Sequence, residues 1–144
     1  MQGYTIDFEP NSVICREGDP SSELYFLQSG KLLVCTLSGT QVKVISRISP
    51  GEFIGELSFF DGKPRASYVI TLEKCKMIQI PKQEISGHLP SWYTQIGANM
   101  TKKIRILDNI IHSSNLRRSN AEESKPLTIE EQRHFHELIT NQDT

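Results

Sequence analysis

Between residues 4 and 80, apolar and polar positions alternate with a period of two in short runs separated by turn residues. Clusters such as Glu9-Pro10-Asn11 and Ser38-Gly39 separate the runs. The predicted strands cover residues 4–8, 12–15, 23–28, 31–37, 41–48, 66–72 and 75–80. Seven or eight strands at this spacing predict a mainly β fold, an antiparallel jelly-roll β-barrel.

After Pro81 the hydrophobic period lengthens to that of a helix. A short helix is predicted over residues 82–89, and a long one begins at Pro90-Ser91. The apolar stripe of the long helix consists of Tyr93, Ile96, Met100, Ile104, Leu107 and Ile111. The opposite face carries Lys102, Arg105 and Asp108. The stripe is interpreted either as the seam of a parallel homodimer through residues 91–112 or as part of the domain's own core.

The chain divides at residue 112. Residues 1–112 form the predicted domain, with the roll at 4–80 and helices at 82–112. Residues 113–126 read as a polar linker, and Thr128 and Glu131 have the spacing of a capping box. The helix that follows, to about Thr140, has too few apolar residues to stand alone, so it must dock on the domain, dock on a partner, or fray.

Length, charge and cysteine usage narrow the class of protein. The chain has 144 residues, enough for one domain with a core, and its formal net charge of −1 lacks the basic excess of a nucleic-acid binder. It has no apolar run long enough to span a membrane, and its first residues lack a signal-peptide pattern. Cys15, Cys35 and Cys75 lie in separate strands, which predicts reduced, buried thiols and a cytoplasmic protein.

One segment, residues 51–67, interrupts the β pattern. It contains a Gly-Glu-Leu-Ser run at 55–58 and a Pro-Arg-Ala-Ser run at 64–67, with a short helical turn between them. Backbone N–H groups at a helix start, together with the guanidinium of Arg65, suit a phosphate group. Taken singly, each residue is better explained by structure alone: Gly55 as a bulge glycine, Glu56 as a helix-terminal acid and Arg65 as a solvated strand residue. Taken together, at this spacing and inside a β-roll, they favour a ligand-binding site.

Several separate segments agree with one known family. Residues 14–19 resemble its early turn, residues 24–30 its third strand, and residues 50–58 and 64–67 its phosphate-binding cassette. The chain therefore resembles the cyclic-nucleotide-binding domain over roughly residues 6–111. Two positions depart mildly from the family pattern: Ile54 replaces a usual phenylalanine, and Ser67 replaces a common alanine.

The resemblance implies a role for each cassette residue. Arg65 would pair with an equatorial phosphate oxygen, and Glu56 would accept from the ribose 2′-hydroxyl. Gly55 would let the backbone approach the ligand, and Pro64 would fix the approach of Arg65. The N–H groups near Leu57, Ser58 and Ala66 would complete the phosphate cradle. The predicted ligand-binding residues are Ile54, Gly55, Glu56, Leu57, Ser58, Pro64, Arg65, Ala66 and Ser67.

The resemblance also implies a base preference. A threonine or serine just after the arginine often favours guanine in this family, so Ala66 favours cyclic AMP, with cyclic GMP as the weaker alternative. Asp108 or Asn109 on the long helix would cap the base. Alternatively, Asp108 and Asn109 lie on a solvated helix face and contact no ligand.

Other functions are less well supported by the sequence. The residues after His112 contain no helix-turn-helix, so direct DNA binding is not expected. The four histidines lie outside the roll, which disfavours a metal-dependent roll enzyme, and no catalytic residue, metal or cofactor is predicted. The favoured interpretation is a cyclic nucleotide receptor that reports through its C-terminal helices to a dimer partner or an unknown downstream protein. The alternatives are an interaction module with a vestigial pocket and the sensing domain of a larger protein.

Overall fold

Two four-stranded antiparallel sheets form the β-roll. The computed structural model describes residues 3–83, 89–114 and 125–141. One sheet has the order β1-β8-β3-β6 and the other the order β2-β7-β4-β5. The strands are β1 (Tyr4–Phe8), β2 (Val13–Cys15), β3 (Leu24–Ser29), β4 (Leu32–Ser38), β5 (Gln41–Ile48), β6 (Phe53–Ile54), β7 (Tyr68–Thr71) and β8 (Cys75–Ile80). The predicted antiparallel roll is confirmed; only the short β6, inside the cassette, was not predicted.

The part of the chain that the structure describes also contains the helices α1 (Glu56–Asp61), α2 (Ser91–Ser114) and α3 (Ile129–Asn141). The predicted linker began at Ser113, but α2 continues through Ser114. Of the predicted helix over 82–89, residues 84–88 lie outside the described residues, as do residues 115–124 of the predicted linker.

The main core lies between the sheets. Alternation along β4 and β7 places Leu32 and Val69 on the inner side of their sheet, while Leu33 and Ile70 face outward. The inner cluster draws on both sheets and consists of Cys15, Tyr25, Leu27, Leu32, Ile54, Val69, Cys75 and Met77. All three cysteines are buried free thiols, as predicted.

The outer face of the second sheet is covered by α3. Phe135 and Ile139, 5% and 1% exposed, pack on an apolar patch contributed by β4, β5 and β7. The patch consists of Leu33, Cys35, Val42, Val44 and Ile70. Of the three outcomes left open for the tail helix, docking on the domain is therefore the one observed.

Polar contacts fix the N-terminal end of α3. The predicted capping box forms: Thr128 N–H donates to Glu131 Oε1 at 3.0 Å, and Glu131 N–H donates to Thr128 Oγ1 at 3.2 Å. Val42 N–H donates to Gln132 Oε1 at 2.7 Å, and Gln132 Nε2 donates to the Val42 carbonyl at 2.5 Å. Because β5 is an edge strand, Gln132 satisfies backbone groups that a neighbouring strand would otherwise pair.

The long helix α2 packs against α1 through its small and polar residues. Thr101 is buried, and a Cβ added at Gly97 would collide with the Phe60 ring of α1. The predicted apolar stripe is exposed instead, with relative exposures between 41% and 58% for Tyr93, Ile96, Met100, Ile104 and Leu107. The interpretation of the stripe as part of the domain's own core is therefore wrong for these residues, because the helix turns its other face inward. The side chain of Ile111 is outside the described set.

Candidate functional site

Arg65 is a buried arginine held by neutral partners. Its side chain is 5% exposed. Nη1 donates to the Gly55 carbonyl at 3.0 Å, and Nη2 donates to the Glu23 carbonyl at 2.6 Å and to Ser21 Oγ at 3.2 Å. These bonds use three of the five N–H groups of the guanidinium. Among the described residues, Arg65 Nε is the only buried side-chain nitrogen or oxygen without a hydrogen-bond partner.

A buried cation without an acid in contact is costly unless an anion joins it. The carbonyl and hydroxyl partners orient the guanidinium but do not neutralise it. The Glu23 carboxylate accepts from the Ser21 hydroxyl instead. The arrangement therefore presents an oriented positive charge with two donors left for a ligand.

The loop 16–23 holds the backbone of Arg65. Gly18 N–H donates to the Arg65 carbonyl at 2.8 Å, and Arg65 N–H donates to the Asp19 carbonyl at 2.8 Å. This pair of bonds has the form of a short antiparallel pairing. It fixes the backbone position of Arg65. The hydrogen bonds to Gly55, Ser21 and Glu23 fix the position of its guanidinium group.

Helix α1 begins at the other side of the guanidinium. Gly55 is its N-cap, with a left-handed φ of 86°, and Phe59 N–H donates the first helical bond to the Gly55 carbonyl at 3.0 Å. A Cβ at this position would collide with Nη1 of Arg65 and lie 2.9 Å from the Glu23 carbonyl oxygen. Gly55 is thus required twice, once by its backbone angle and once by the close approach of Arg65.

These elements line a cavity of about 790 Å³. The volume falls within the range of small-molecule sites, roughly 300–1,000 Å³. Its predicted lining residues are Ile54, Gly55, Glu56, Leu57, Ser58, Arg65, Ala66, Ser67, Asp108 and Asn109. Strands β2, β4, β5 and β7 add Cys15, Val34, Thr36, Leu37, Ser38, Lys43, Ile45, Ser46, Ile48 and Val69.

Two titratable groups of the cavity have shifted pKa values. Desolvation raises the pKa of Glu56 above its ordinary value, although its backbone hydrogen bond and the Arg65 charge act in the opposite direction. Burial raises the pKa of the Cys15 thiol to about 11, with Arg65 again opposing the shift. Cys15 is therefore a neutral, apolar part of the wall at physiological pH.

Helix α2 closes one side of the cavity and is tied to α1 by an ion pair. Arg105 Nε donates to Asp61 Oδ2 at 2.5 Å, and Arg105 Nη2 donates to Asp61 Oδ1 at 3.2 Å. Desolvation raises the pKa of Asp61, but the hydrogen bonds from Arg105 and from Lys63 N–H outweigh it and leave the pKa below its ordinary value. The bidentate pair places Asp108 and Asn109, one turn on, at the cavity wall.

A family model agrees with this geometry. The model described as the cyclic nucleotide-binding domain matches residues 5–89, which include both sheets, α1 and Arg65. The chain belongs to the cyclic nucleotide-binding domain family. The resemblance noted in the sequence is therefore confirmed.

Three known proteins place the chain within this family. It is 28% identical over 85 residues to the cAMP-dependent protein kinase regulatory subunit of Dictyostelium discoideum, covering 56% of this chain and 26% of that protein. It is 26% identical over 116 residues to a CRP-like cAMP-activated global transcriptional regulator of Mycobacterium tuberculosis, covering 80% and 48%. The regulatory domain of Toxoplasma gondii PKA, solved with cAMP, matches with a TM-score of 0.60 at 26% identity, covering 64% and 35%. The chain spans less than half the length of these relatives.

The structure gathers nearly all the predicted site residues of this cyclic nucleotide-binding domain around one cavity. Pro64 is the exception: it is exposed and does not line the cavity, although it directly precedes Arg65. Their roles toward a ligand remain predictions. The sequence interpretation missed Ser21 and Glu23, whose contacts orient Arg65, and the wall residues of β4 and β5. The wall residues of β4 and β5 could have been predicted only from the alternation along these strands, which turns Val34, Thr36, Lys43 and Ile45 toward the cavity.

The described part of the chain offers neither a membrane-spanning helix nor a metal site. No helix there is long and apolar enough to cross a membrane. Within the same residues, no group of three or more histidine, cysteine, aspartate or glutamate side chains is placed to hold a metal ion.

Proposed function

We propose that this domain is a receptor for a cyclic mononucleotide, with cyclic AMP preferred over cyclic GMP. The observation that carries the proposal is the buried, oriented guanidinium of Arg65, with its Nε–H unpartnered, in a cavity of suitable size. A cyclic phosphate carries one negative charge and two exocyclic oxygens, one axial and one equatorial, and either oxygen can accept a hydrogen bond from such a donor. Binding would neutralise Arg65 without disturbing the contacts that hold it.

Glu56 is the proposed acceptor for the ribose 2′-hydroxyl. It stands at the start of α1, next to Gly55, and lines the same cavity as Arg65. Its raised pKa reflects an incompletely solvated carboxylate, which gains from a hydroxyl donor supplied by a ligand. A ribonucleotide offers that donor, and a deoxyribonucleotide does not.

The preference for adenine rests on Ala66 and on the wall formed by α2. Ala66 lines the cavity next to Arg65 and offers no hydroxyl to a guanine. Asp108 and Asn109 line the same cavity, and a carboxylate or amide oxygen there can accept from the exocyclic amine of adenine. The ion pair between Arg105 and Asp61 supports this placement because it holds α2 against α1.

Calorimetric titration tests the receptor function. We expect wild-type protein to bind cyclic AMP more tightly than cyclic GMP, and 5′-AMP or 2′-deoxy cyclic AMP only weakly. Arg65→Ala should weaken cyclic AMP binding by about 3 kcal/mol, because it leaves the phosphate unpaired. Arg65→Lys should recover part of this loss, since lysine keeps the charge but lacks the planar fork.

Arg133→Ala, at an exposed arginine of α3, is the matched control and should bind as wild type does. Thermal melts of each variant separate lost binding from lost folding. If folded wild-type protein gives no heat of binding with cyclic AMP and none with cyclic GMP, the receptor function is ruled out and a vestigial pocket is favoured.

The proposed receptor acts in the cytoplasm, has no catalytic step of its own, and signals through a homodimer formed by α2. The observation that supports the dimer is the exposed apolar face of this helix, where Trp92, Tyr93, Ile96, Met100 and Leu107 are each at least half exposed. A second copy of the same helix offers a matching face. Nucleotide binding would shift α2 because its polar face carries both the Asp61 contact and the cavity wall.

Light scattering at several protein concentrations, with and without cyclic AMP, tests the dimer. Met100→Glu places a charge in the exposed face and should give a monomer that still binds nucleotide. A wild-type protein that stays monomeric at all concentrations with ligand bound contradicts the dimer but leaves the receptor function intact.

A further inference from the structure

The C-terminal end of α3 receives an arginine from the β-roll. Arg16 Nη1 donates to the Ile139 carbonyl at 3.1 Å. Carbonyl groups in the last turn of a helix lack intrahelical partners, and a cation there also interacts favourably with the helix dipole. The last turn of α3 has no basic residue of its own. Arg16 therefore supplies from the roll the cation that this helix end lacks.

The same residue opens the loop that holds Arg65. Arg16 N–H donates to Asp19 Oδ2 at 3.1 Å, and Asp19 N–H donates back to the Arg16 carbonyl at 3.1 Å, which closes a tight turn. The next two bonds of the loop are the pair that joins Gly18 and Asp19 to the backbone of Arg65, each 2.8 Å long. A continuous set of hydrogen bonds thus runs from the end of α3 to Arg65.

This loop has little packing of its own. Glu17, Gly18 and Pro20 are exposed, and Asp19 is only half-buried. A turn with so few buried contacts opens at low free-energy cost unless something anchors it. The anchor is Arg16, which is fixed on one side by a helix whose Phe135 and Ile139 are buried on the roll.

We propose that Arg16 is a positioning residue for Arg65, and that docking of α3 and nucleotide binding strengthen each other through the loop between them. The inference rests on the proposed function, since it assigns the ligand's phosphate to Arg65. An anchored loop lowers the entropy that binding must remove, so the docked helix raises affinity. Because coupling between two sites is reciprocal, bound nucleotide must also stabilise the docked helix.

The first test compares two arginine variants of the full chain by calorimetric titration with cyclic AMP. Arg16→Gln should weaken binding about fivefold, a coupling of ordinary size for two linked sites. Arg133→Gln removes the same charge from the exposed side of α3 and should stay within about twofold of wild type. Arg16→Lys keeps one donor for the Ile139 carbonyl and should recover part of the affinity. Equal affinities of the Arg16→Gln and Arg133→Gln variants overturn the proposal.

The second test measures amide hydrogen exchange with and without cyclic AMP. In wild-type protein the ligand should slow exchange in α3 as well as in α1, and in Arg16→Gln it should slow exchange in α1 only. A merely structural Arg16 would change basal exchange of α3 but not its response to ligand. The wild-type measurement is decisive even if Arg16→Gln does not fold, because nucleotide that binds without slowing exchange in α3 overturns the proposal. If wild-type protein binds neither nucleotide, the receptor function itself fails, which the titration shows directly.

Discussion

Helices α2 and α3 are both amphipathic, yet the structure treats them in opposite ways. The shorter, more polar α3 buries Phe135 and Ile139 on the outer face of a sheet. The longer α2 leaves its apolar stripe at the surface and meets α1 through Gly97 and Arg105. An apolar stripe therefore shows that a helix has a face to cover, but not which surface covers it.

The reason lies in what each helix meets. The outer face of β4, β5 and β7 is apolar because Leu33, Val42 and Ile70 point away from the inner core, so α3 finds a complementary surface. Helix α2 meets α1, a two-turn helix with a polar end at Asp61, and a polar face suits it better. Accordingly, the apolar side chains that α3 buries should stabilise the roll, whereas the exposed stripe of α2 should contribute little to the stability of a single chain.

The largest effect is expected from a substitution that disrupts the packing of α3 on the roll. Ile139→Ala should lower the free energy of unfolding by about 3 kcal/mol, because Ile139 is 1% exposed and its removal leaves a cavity. Ile96→Ala in α2, where the side chain is 50% exposed, is the matched control and should cost about 0.5 kcal/mol at low protein concentration. Urea unfolding measures both. Similar losses for the two variants would contradict the distinction between the helices.

A smaller loss is expected from overpacking the contact of α2 with α1. Gly97→Ala adds a methyl group that collides with the Phe60 ring. The substitution should lower the free energy of unfolding by about 2 kcal/mol, despite the higher helix propensity of alanine. Asn99→Ala, at an exposed position of the same helix, should be neutral or slightly stabilising. Thermal unfolding separates them, and an alanine at 97 that raises the melting temperature would show that the contact is loose.

The ion pair between α1 and α2 should give an acid-dependent contribution. The pKa of Asp61 is lowered, so the stability it provides is present above its ordinary pKa of 3.8 and is lost as pH falls through the lower folded-state value. Asp61→Asn should cost about 1 kcal/mol at neutral pH and nothing once wild-type Asp61 is protonated. Unfolding curves from pH 7 to pH 2 measure the difference, and a pH-independent difference would argue against the pair.

The smallest expected effect concerns Glu56, the first residue of α1. Its pKa is raised in the folded state, so its stability contribution is fully present below the ordinary pKa and is lost as pH rises through the folded-state value. Glu56→Gln should therefore raise the melting temperature slightly at neutral pH and leave it unchanged in acid. The same variant should weaken cyclic AMP binding if Glu56 accepts from the ribose. A variant with lower stability and unchanged affinity would contradict both expectations.

Local sequence determined most of the β-roll and the composition of the site. Period-two alternation and turn residues located every strand except the short β6, and the capping-box spacing of Thr128 and Glu131 located the start of α3. The cassette was also recognisable from its sequence, because the close approach of the Arg65 guanidinium requires glycine at position 55. A Cβ at that position would collide with Nη1 of Arg65. Such features depend on neighbours in the chain or on residue types with few alternatives.

Only the tertiary structure decided which surfaces meet. It brought Ser21 and Glu23 to Arg65 from 44 and 42 residues away, and Arg16 to Ile139 from 123 residues away. It also turned α2 outward and α3 inward, although the apolar stripe of α2 is the longer of the two. Helical periodicity reports one helix at a time, whereas burial depends on the complementarity of two surfaces that lie far apart in the sequence.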